Sequence, residues 1–264
     1  MTARPLPAGL DLLDLHRLDP ARYPVLLESS ATGAHGRRDL LLAHAGEGFA
    51  LHRDGVVRSL AGEVLGGDFL AVLDAQWQAR RVSAEAVGGR AFDGGWALLL
   101  GYELAGQVEP VLALPHAEGG LPVAVALRCP AAVLHDRESG ACSAAASPGD
   151  AGWLARIEAD GVRAMAQPAL PAWQPPRTVG EDAPERFLDG VARVLDYLAA
   201  GDVFQANLSR GWRARFDAPL DPAALFQRLR GNNPAPFAGI FRTTHGSVVS
   251  ASPERLVSVQ GRRV

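Results

Sequence analysis

The chain has 264 residues, which is enough for one large domain or two small ones. Its net charge of −3 and pI of about 6.2 give no overall basic charge of the kind that nucleic-acid-binding domains carry. Its apolar runs fall short of the ~20 residues of a membrane span, and Asp11 and Asp14 interrupt the apolar N-terminal segment. We therefore expect a cytoplasmic protein with neither a nucleic-acid nor a membrane partner.

The cysteines and histidines give no indication of a metal site or a disulfide framework. Cys129 and Cys142 do not form a CxxC pair, and the seven histidines are scattered singly. Two unpaired structural thiols in a reducing compartment are the favoured interpretation.

Short apolar stretches separated by turns predict an antiparallel first half. They lie at residues 23–28, 40–43, 48–53, 96–102, 123–127, 131–134 and 141–145. Asp54-Gly55 has the composition of a hairpin turn. Asp68 is placed to cap a helix from Phe69 to Arg80, and Asp150 a later one. The run from Trp96 lies between glycines, which suits a strand buried on both faces.

Residues 167–180 contain four prolines, at positions 168, 171, 175 and 176, and are predicted to be a linker. The predicted organisation is an N-terminal region 1–166, this linker, and a second region 181–264.

The second region begins with a helix that has strong end signals. Asp182 and Glu185 have capping-box spacing, and Gly201 stands where a helix C-terminus is expected. Residues 201–210 then alternate apolar and polar side chains, which predicts a strand with a polar face formed by Gln205, Asn207 and Ser209. That face either meets water or presents hydrogen-bonding groups to a cleft.

Asp221-Pro222 opens another helix, and strands are predicted at 237–241, 248–251 and 256–259. Strands outnumber helices and their links are of hairpin length. We therefore predict an α+β fold in which antiparallel sheets carry helices on their outer faces.

Several ordered motifs resemble one enzyme family. They are Leu26-Leu-Glu-Ser29, Gly94-Gly95 followed by Gly101-Tyr102-Glu103, Gly201 to Ser209, Asn233-Pro-Ala-Pro-Phe237 and Ala251-Ser-Pro-Glu-Arg255. Together they resemble the chorismate-utilising enzymes, and more narrowly aminodeoxychorismate synthase component I, a sibling of anthranilate synthase component I. The Asn207-Leu208 pair favours the aminodeoxychorismate branch.

The resemblance implies face-to-face antiparallel sheets and an activity that aminates chorismate to 4-amino-4-deoxychorismate, on the route to 4-aminobenzoate and folate. It implies ammonia from a glutamine amidotransferase partner and Mg²⁺ as cofactor. In this family the residues that hold chorismate and Mg²⁺ follow the segment matched by residues 251–255. We therefore expect this chain to be the N-terminal part of such an enzyme and inactive alone, and we assign it no catalytic or metal residue.

The resemblance also implies a site for L-tryptophan. Its candidate residues are Ser29, Arg38, Asp39, Pro236, Phe237, Ala238 and Glu254, with Glu254 expected to face the ligand's ammonium group. Judged from the residues alone, Pro236 and Phe237 fit an ordinary hydrophobic core equally well, and Glu254 and Arg255 fit a local ion pair. Three functions stay open: an aminodeoxychorismate or anthranilate synthase component, an isochorismate or salicylate synthase of the same superfamily, and a non-catalytic module that binds an amino acid or docks a subunit.

Overall fold

In the computed structural model of the protein, the described residues are 3–30, 37–81, 92–115, 119–259 and 261–264. By their contacts they form two compact units. The larger comprises Met1–Leu170 with Pro222–Val264, and the smaller is Pro171–Asp221. Residues 222–264 therefore group with the first 170 residues. The division of the protein into regions 1–166 and 181–264 at a linker stays a prediction.

In chain order, the strands of the described residues are β1 (Ala3–Pro5), β2 (Val25–Glu28), β3 (Arg38–Ala43), β4 (Gly48–Leu51), β5 (Val57–Ser59), β6 (Val64–Gly66), β7 (Gly95–Leu100), β8 (Ala124–Cys129), β9 (Ala131–Asp136), β10 (Cys142–Ala146), β11 (Thr178–Glu181), β12 (Trp212–Arg215), β13 (Phe237–Thr243) and β14 (Gly246–Ser252). The helices are α1 (Leu12–Leu18), α2 (Phe69–Ala79), α3 (Ala105–Val108), α4 (Gly152–Met165), α5 (Pro184–Ala200) and α6 (Pro222–Asn232), with a 3₁₀ turn at Tyr102–Leu104.

The larger unit is built on two antiparallel sheets. One has seven strands in the order β1-β10-β9-β3-β2-β13-β14, and the other has five in the order β6-β5-β4-β8-β7. Val25 and Leu42 of the first sheet share a buried cluster with Val125 and Leu127 of the second, so the two sheets pack face to face. Strand β13 pairs with β2, which joins residues from the two ends of the chain in one sheet.

Helices cover the outer faces of both sheets. Helices α1, α4 and α6 pack on the seven-stranded sheet through a core that includes Leu13, Ile157 and Phe226. On the five-stranded sheet, Phe69 of α2 meets Phe49, with ring centroids 5.4 Å apart. The order helix, sheet, sheet, helix confirms the predicted α+β architecture.

Several end signals act as the sequence predicted. The Asp68 carboxylate accepts a hydrogen bond of 3.0 Å from the Ala71 amide and so caps α2. Gly201 has φ of 80°, a left-handed conformation that costs glycine little, and α5 ends there. Helix α6 begins at Pro222, as expected of a first-turn proline.

Other local predictions are wrong. Asp150 and Asp182 do not cap α4 and α5, because their carboxylates accept hydrogen bonds from the Ser147 hydroxyl and the Gly211 amide instead. Residues 201–210 and 256–259 form no strand, and no neighbouring strand pairs with them among the described residues. Strand β7 is an edge strand with Leu100 half exposed, so it is not buried on both faces.

The smaller unit contains α5 and the antiparallel pair β11-β12. Helix α5 is amphipathic, yet no residue of it is buried, and its apolar side chains Leu188 and Leu195 are 64% and 60% exposed. Trp173 and Phe216 pack edge to face in this unit, with ring centroids 5.9 Å apart. Among the helices of the described residues, none combines the length and apolar character needed to cross a membrane.

Candidate functional site

The end of β2 meets the segment that leads into β13, and this junction contains most of the residues predicted for the tryptophan site. The Ser29 hydroxyl donates a 2.7 Å hydrogen bond to the Pro236 carbonyl. The Ser30 amide donates to the Ala235 carbonyl at 3.0 Å, and the Ala235 amide donates to the Ser30 hydroxyl at 3.0 Å. The two segments are therefore fixed to each other by side chains as well as by backbone groups.

Asp39 is buried beneath this junction. One of its carboxylate oxygens accepts the Ser29 amide at 2.9 Å, and the other lies 3.0 Å from Nδ1 of His135. Arg137 donates to both oxygens, at 3.0 and 3.2 Å. Because both oxygens are engaged, Asp39 is suited to hold Ser29 in place rather than to contact a ligand.

A second set of charges includes Glu28, the residue before Ser29. Arg230, in the last turn of α6, donates to Asp11 at 2.5 Å and to Glu28 at 3.0 Å. Asp11 also caps α1 by accepting the Leu13 amide at 2.9 Å. One guanidinium thus connects the end of α6, the start of α1 and the end of β2.

Burial and the Arg230 charge set the electrostatics of this group. Burial is the largest influence on Glu28 and raises its pKa above the ordinary value, although Arg230 opposes the change. Burial would also raise the pKa of Asp11, but the hydrogen bond and charge of Arg230 outweigh it and the pKa is lowered. Burial alone would lower the pKa of Arg230, but bonding to Asp11 and Glu28 raises it.

The remaining predicted tryptophan-site residues are divided between the junction and the surface. Ala238 is buried and pairs with Glu28 between β13 and β2. Phe237 is partly buried, and the Arg255 guanidinium lies over its ring at 5.1 Å. Arg38 is exposed and lies opposite Asp136 in the pairing of β3 with β9.

Glu254 is also exposed, and its backbone carbonyl accepts a hydrogen bond from the Ser252 hydroxyl. The junction therefore brings together Ser29, Asp39, Pro236 and Ala238, with Phe237 beside them. Among the described residues, Arg38 and Glu254 take no part in its hydrogen bonds.

The residues predicted to face a cleft lie in the smaller unit. Gln205, Asn207 and Ser209 are all exposed, in a segment without regular structure. Ser209 lines a small surface cavity together with Phe187, Leu208 and other residues of this unit.

Sequence reasoning missed the ionisable residues that support the junction, namely Asp11, Glu28, His135, Arg137 and Arg230. One signal was present: Glu28 ends an apolar strand and Asp39 precedes another, and charges beside buried strands need partners. The identity of those partners was not readable, because Arg137 and Arg230 lie 98 and 202 residues from Asp39 and Glu28.

No group of three or more His, Cys, Asp and Glu side chains is arranged to hold a metal ion within the part of the chain that the structure describes. The junction provides buried charge, fixed backbone carbonyls and an aromatic ring.

Comparison with known proteins identifies the family. The model of the chorismate binding enzyme family matches residues 28–264. An anthranilate synthase component I-like protein from Synechocystis is 31% identical over 184 residues, which cover 64% of this chain and 35% of that protein. The 2-amino-4-deoxychorismate synthase of Streptomyces globisporus is 29% identical over 180 residues, with the same coverage of both chains.

The fold has a solved counterpart. Anthranilate synthase component I from Streptococcus pneumoniae superposes with a TM-score of 0.67 at 20% identity, over 88% of this chain and 53% of that one. The chain thus spans about a third of the length of these curated relatives and about half of the solved chain. Because the family model extends over most of its residues, this chain belongs to the chorismate binding enzyme family.

Proposed function

We propose that the whole protein aminates chorismate, with ammonia from a glutamine amidotransferase partner, to give 4-amino-4-deoxychorismate for the folate route. The family match over residues 28–264 carries this proposal. The choice of product rests on Phe204-Gln205-Ala206-Asn207-Leu208, which resembles the aminodeoxychorismate branch. In this proposal the exposed Gln205, Asn207 and Ser209 are the residues of this chain that approach the chorismate cleft, without being the residues that hold chorismate.

A second candidate is the activity of an anthranilate synthase component I. The names of several relatives favour it, among them component 1 of Thermus thermophilus, which is 45% identical over 82 residues. Both reactions consume chorismate and ammonia and release water. Formation of anthranilate also releases the enolpyruvyl side chain as pyruvate, whereas 4-amino-4-deoxychorismate retains it.

The two activities are separated by a single assay. The protein extended to the full length of its relatives is incubated with chorismate, Mg²⁺ and an ammonium salt, and products are identified by chromatography with mass detection. An amine product without pyruvate supports the proposal, and pyruvate with fluorescent anthranilate supports the second candidate. Mass spectrometry alone does not locate the amine, so the purified product is also treated with a lyase that converts 4-amino-4-deoxychorismate to 4-aminobenzoate.

The 264-residue chain alone is the control. We expect it to convert no chorismate, because in this proposal the reactive centre lies outside it. Turnover of chorismate by this chain alone would contradict that placement of the reactive centre. We place the Mg²⁺ ligands outside this chain as well, and we assign no step of the reaction to a metal.

We further propose that the junction around Ser29 binds an amino acid, tryptophan by the family resemblance. The fixed Ser29 and Pro236 provide polar groups, and Phe237 and Ala238 an apolar wall. Calorimetric titration with tryptophan is expected to give saturable heat, and Ser29→Ala is expected to weaken it. Glu254→Ala, at an exposed position, tests the ammonium contact expected from the sequence. Absence of heat with the unmodified protein would remove this site.

A further inference from the structure

Arg230 occupies a position where three separate elements converge. It lies in the last turn of α6, a few residues before the segment that forms the junction with Ser29. Its guanidinium reaches Asp11 at the start of α1 and Glu28 at the end of β2. The side chain is 19% exposed and that of Glu28 is 9% exposed, so their contact is largely shielded from water.

The planar shape of the Arg230 guanidinium allows it to bond both carboxylates. One terminal nitrogen donates to Asp11 at 3.2 Å and to Glu28 at 3.0 Å, and the other donates to Asp11 at 2.5 Å. A planar group with several fixed donors can span two carboxylates at once, whereas a lysine ammonium is a single point charge. Gln227, one turn earlier in α6, accepts from the second nitrogen at 2.5 Å and helps to orient it.

The position of Glu28 directly affects the geometry of the junction. Glu28 precedes Ser29 and pairs with Ala238, so its backbone sets the register of β2 against β13. The Ser29 hydroxyl bond to Pro236 and the Ser30 bonds to Ala235 then hold the segment between α6 and β13. Arg230 therefore fixes one side of this junction from its helix end and the other side through Glu28.

We propose that Arg230 is a positioning residue for the amino-acid site, and that its contacts with Asp11 and Glu28 set the ligand affinity of the Ser29 junction without touching the ligand. This inference rests on the proposed amino-acid site. It adds that α1, α6 and β2 are coupled through one side chain, so that affinity depends on a group outside the ligand contacts.

The experiment compares variants at this position by hydrogen exchange and by calorimetry. Arg230→Met removes the positive charge. Arg230→Lys retains the charge but lacks the planar guanidinium that spans two carboxylates. Since Arg230→Met leaves Glu28 as a buried unpaired charge and is at risk of not folding, Arg230→Met with Glu28→Gln is included. The matched control is Arg242→Met, at an exposed position of β13, where the side chain forms no ion pair with the described residues.

Hydrogen exchange is measured first, without ligand. The amides of Ser30 and Ala235 are bonded across the junction, and the Ser29 amide is bonded to Asp39; we expect all three to exchange at least about tenfold faster in the Met variants. Amides in the pairing of β9 with β10 are expected to keep their exchange rates in the Met variants. In the Arg242→Met control, the junction amides are also expected to keep theirs. Unchanged rates at the junction, or an equal increase in every strand, would overturn the positioning role.

Tryptophan titration then tests the consequence for binding. We expect affinity to fall at least about tenfold in the Met variants, with Arg230→Lys intermediate and Arg242→Met unchanged. Full affinity in the Met variants would overturn the inference even if exchange increased. If the unmodified protein binds no tryptophan, the amino-acid site fails, while the exchange data still decide separately whether Arg230 positions the junction.

Discussion

Replacing Phe226 with alanine tests whether α6 is part of the main core. The ring is fully buried in the cluster that α1 and α4 share with the seven-stranded sheet. Truncating a buried phenylalanine to alanine costs about 3–5 kcal/mol, from lost burial and from the cavity left behind. Domain stabilities are about 5–15 kcal/mol, so we expect this single change to remove a large share of the free energy of unfolding.

The measurement is urea unfolding followed by circular dichroism, with thermal unfolding alongside. A loss of that size corresponds to a fall in melting temperature of roughly 6–20 °C for a unit of this size. The control is Phe204→Ala, the same substitution at a side chain that is 94% exposed, where a change within about 0.5 kcal/mol is expected. Equal effects of the two substitutions would show that α6 does not pack as described and would refute the reasoning.

Three further predictions concern buried ionisable groups. The raised pKa of Glu28 means that the folded protein binds more protons than the unfolded chain between pH 4.5, the ordinary pKa of this carboxyl group, and its pKa in the folded protein. Stability therefore falls as pH rises through that window. Glu28→Gln is expected to remove this slope in urea unfolding measured from about pH 4.5 to 8, and parallel curves for the two proteins would disprove it. The Tyr23 hydroxyl donates to the buried Asp160 at 2.9 Å, so Tyr23→Phe should cost about 1–3 kcal/mol, whereas Tyr197→Phe, on the exposed side of α5, should cost almost nothing. Burial raises the pKa of Cys129 to about 12, so a thiol reagent should label it slowly at about pH 8 in the folded protein and quickly in urea; fast labelling without denaturant would mean that the thiol is accessible.

Secondary structure was predictable where the signal is local. The cap at Asp68, the left-handed Gly201 and the first-turn Pro222 depend on a few neighbouring residues, and all three act in the structure as the sequence indicated. The strand predicted at residues 201–210 failed for the complementary reason. Alternation makes a strand favourable only if another strand pairs with it, and no neighbour does so among the described residues.

The candidate site was predictable only in part. Ser29 and Pro236 were identified from motifs and do meet, through a hydrogen bond that spans 207 residues. Asp39 was identified as well, but its carboxylate is engaged by Ser29, His135 and Arg137. Its role as a support could not be inferred from its neighbours in the sequence, because its side-chain partners His135 and Arg137 come from β9 and the turn after it.

By itself the sequence determined the alternation of short strands and helices, the ends of several elements and the likeness to one enzyme family. These depend on side-chain periodicity, backbone preference and motif order, which are properties of short stretches. Only the tertiary structure decided which charges meet. The 26 basic residues are all arginines, and Glu28 and Asp11 give no local indication that Arg230 is their partner. That choice is made when α1, β2 and α6 pack together, because burial then requires each carboxylate to find a charged or hydrogen-bonding group within reach.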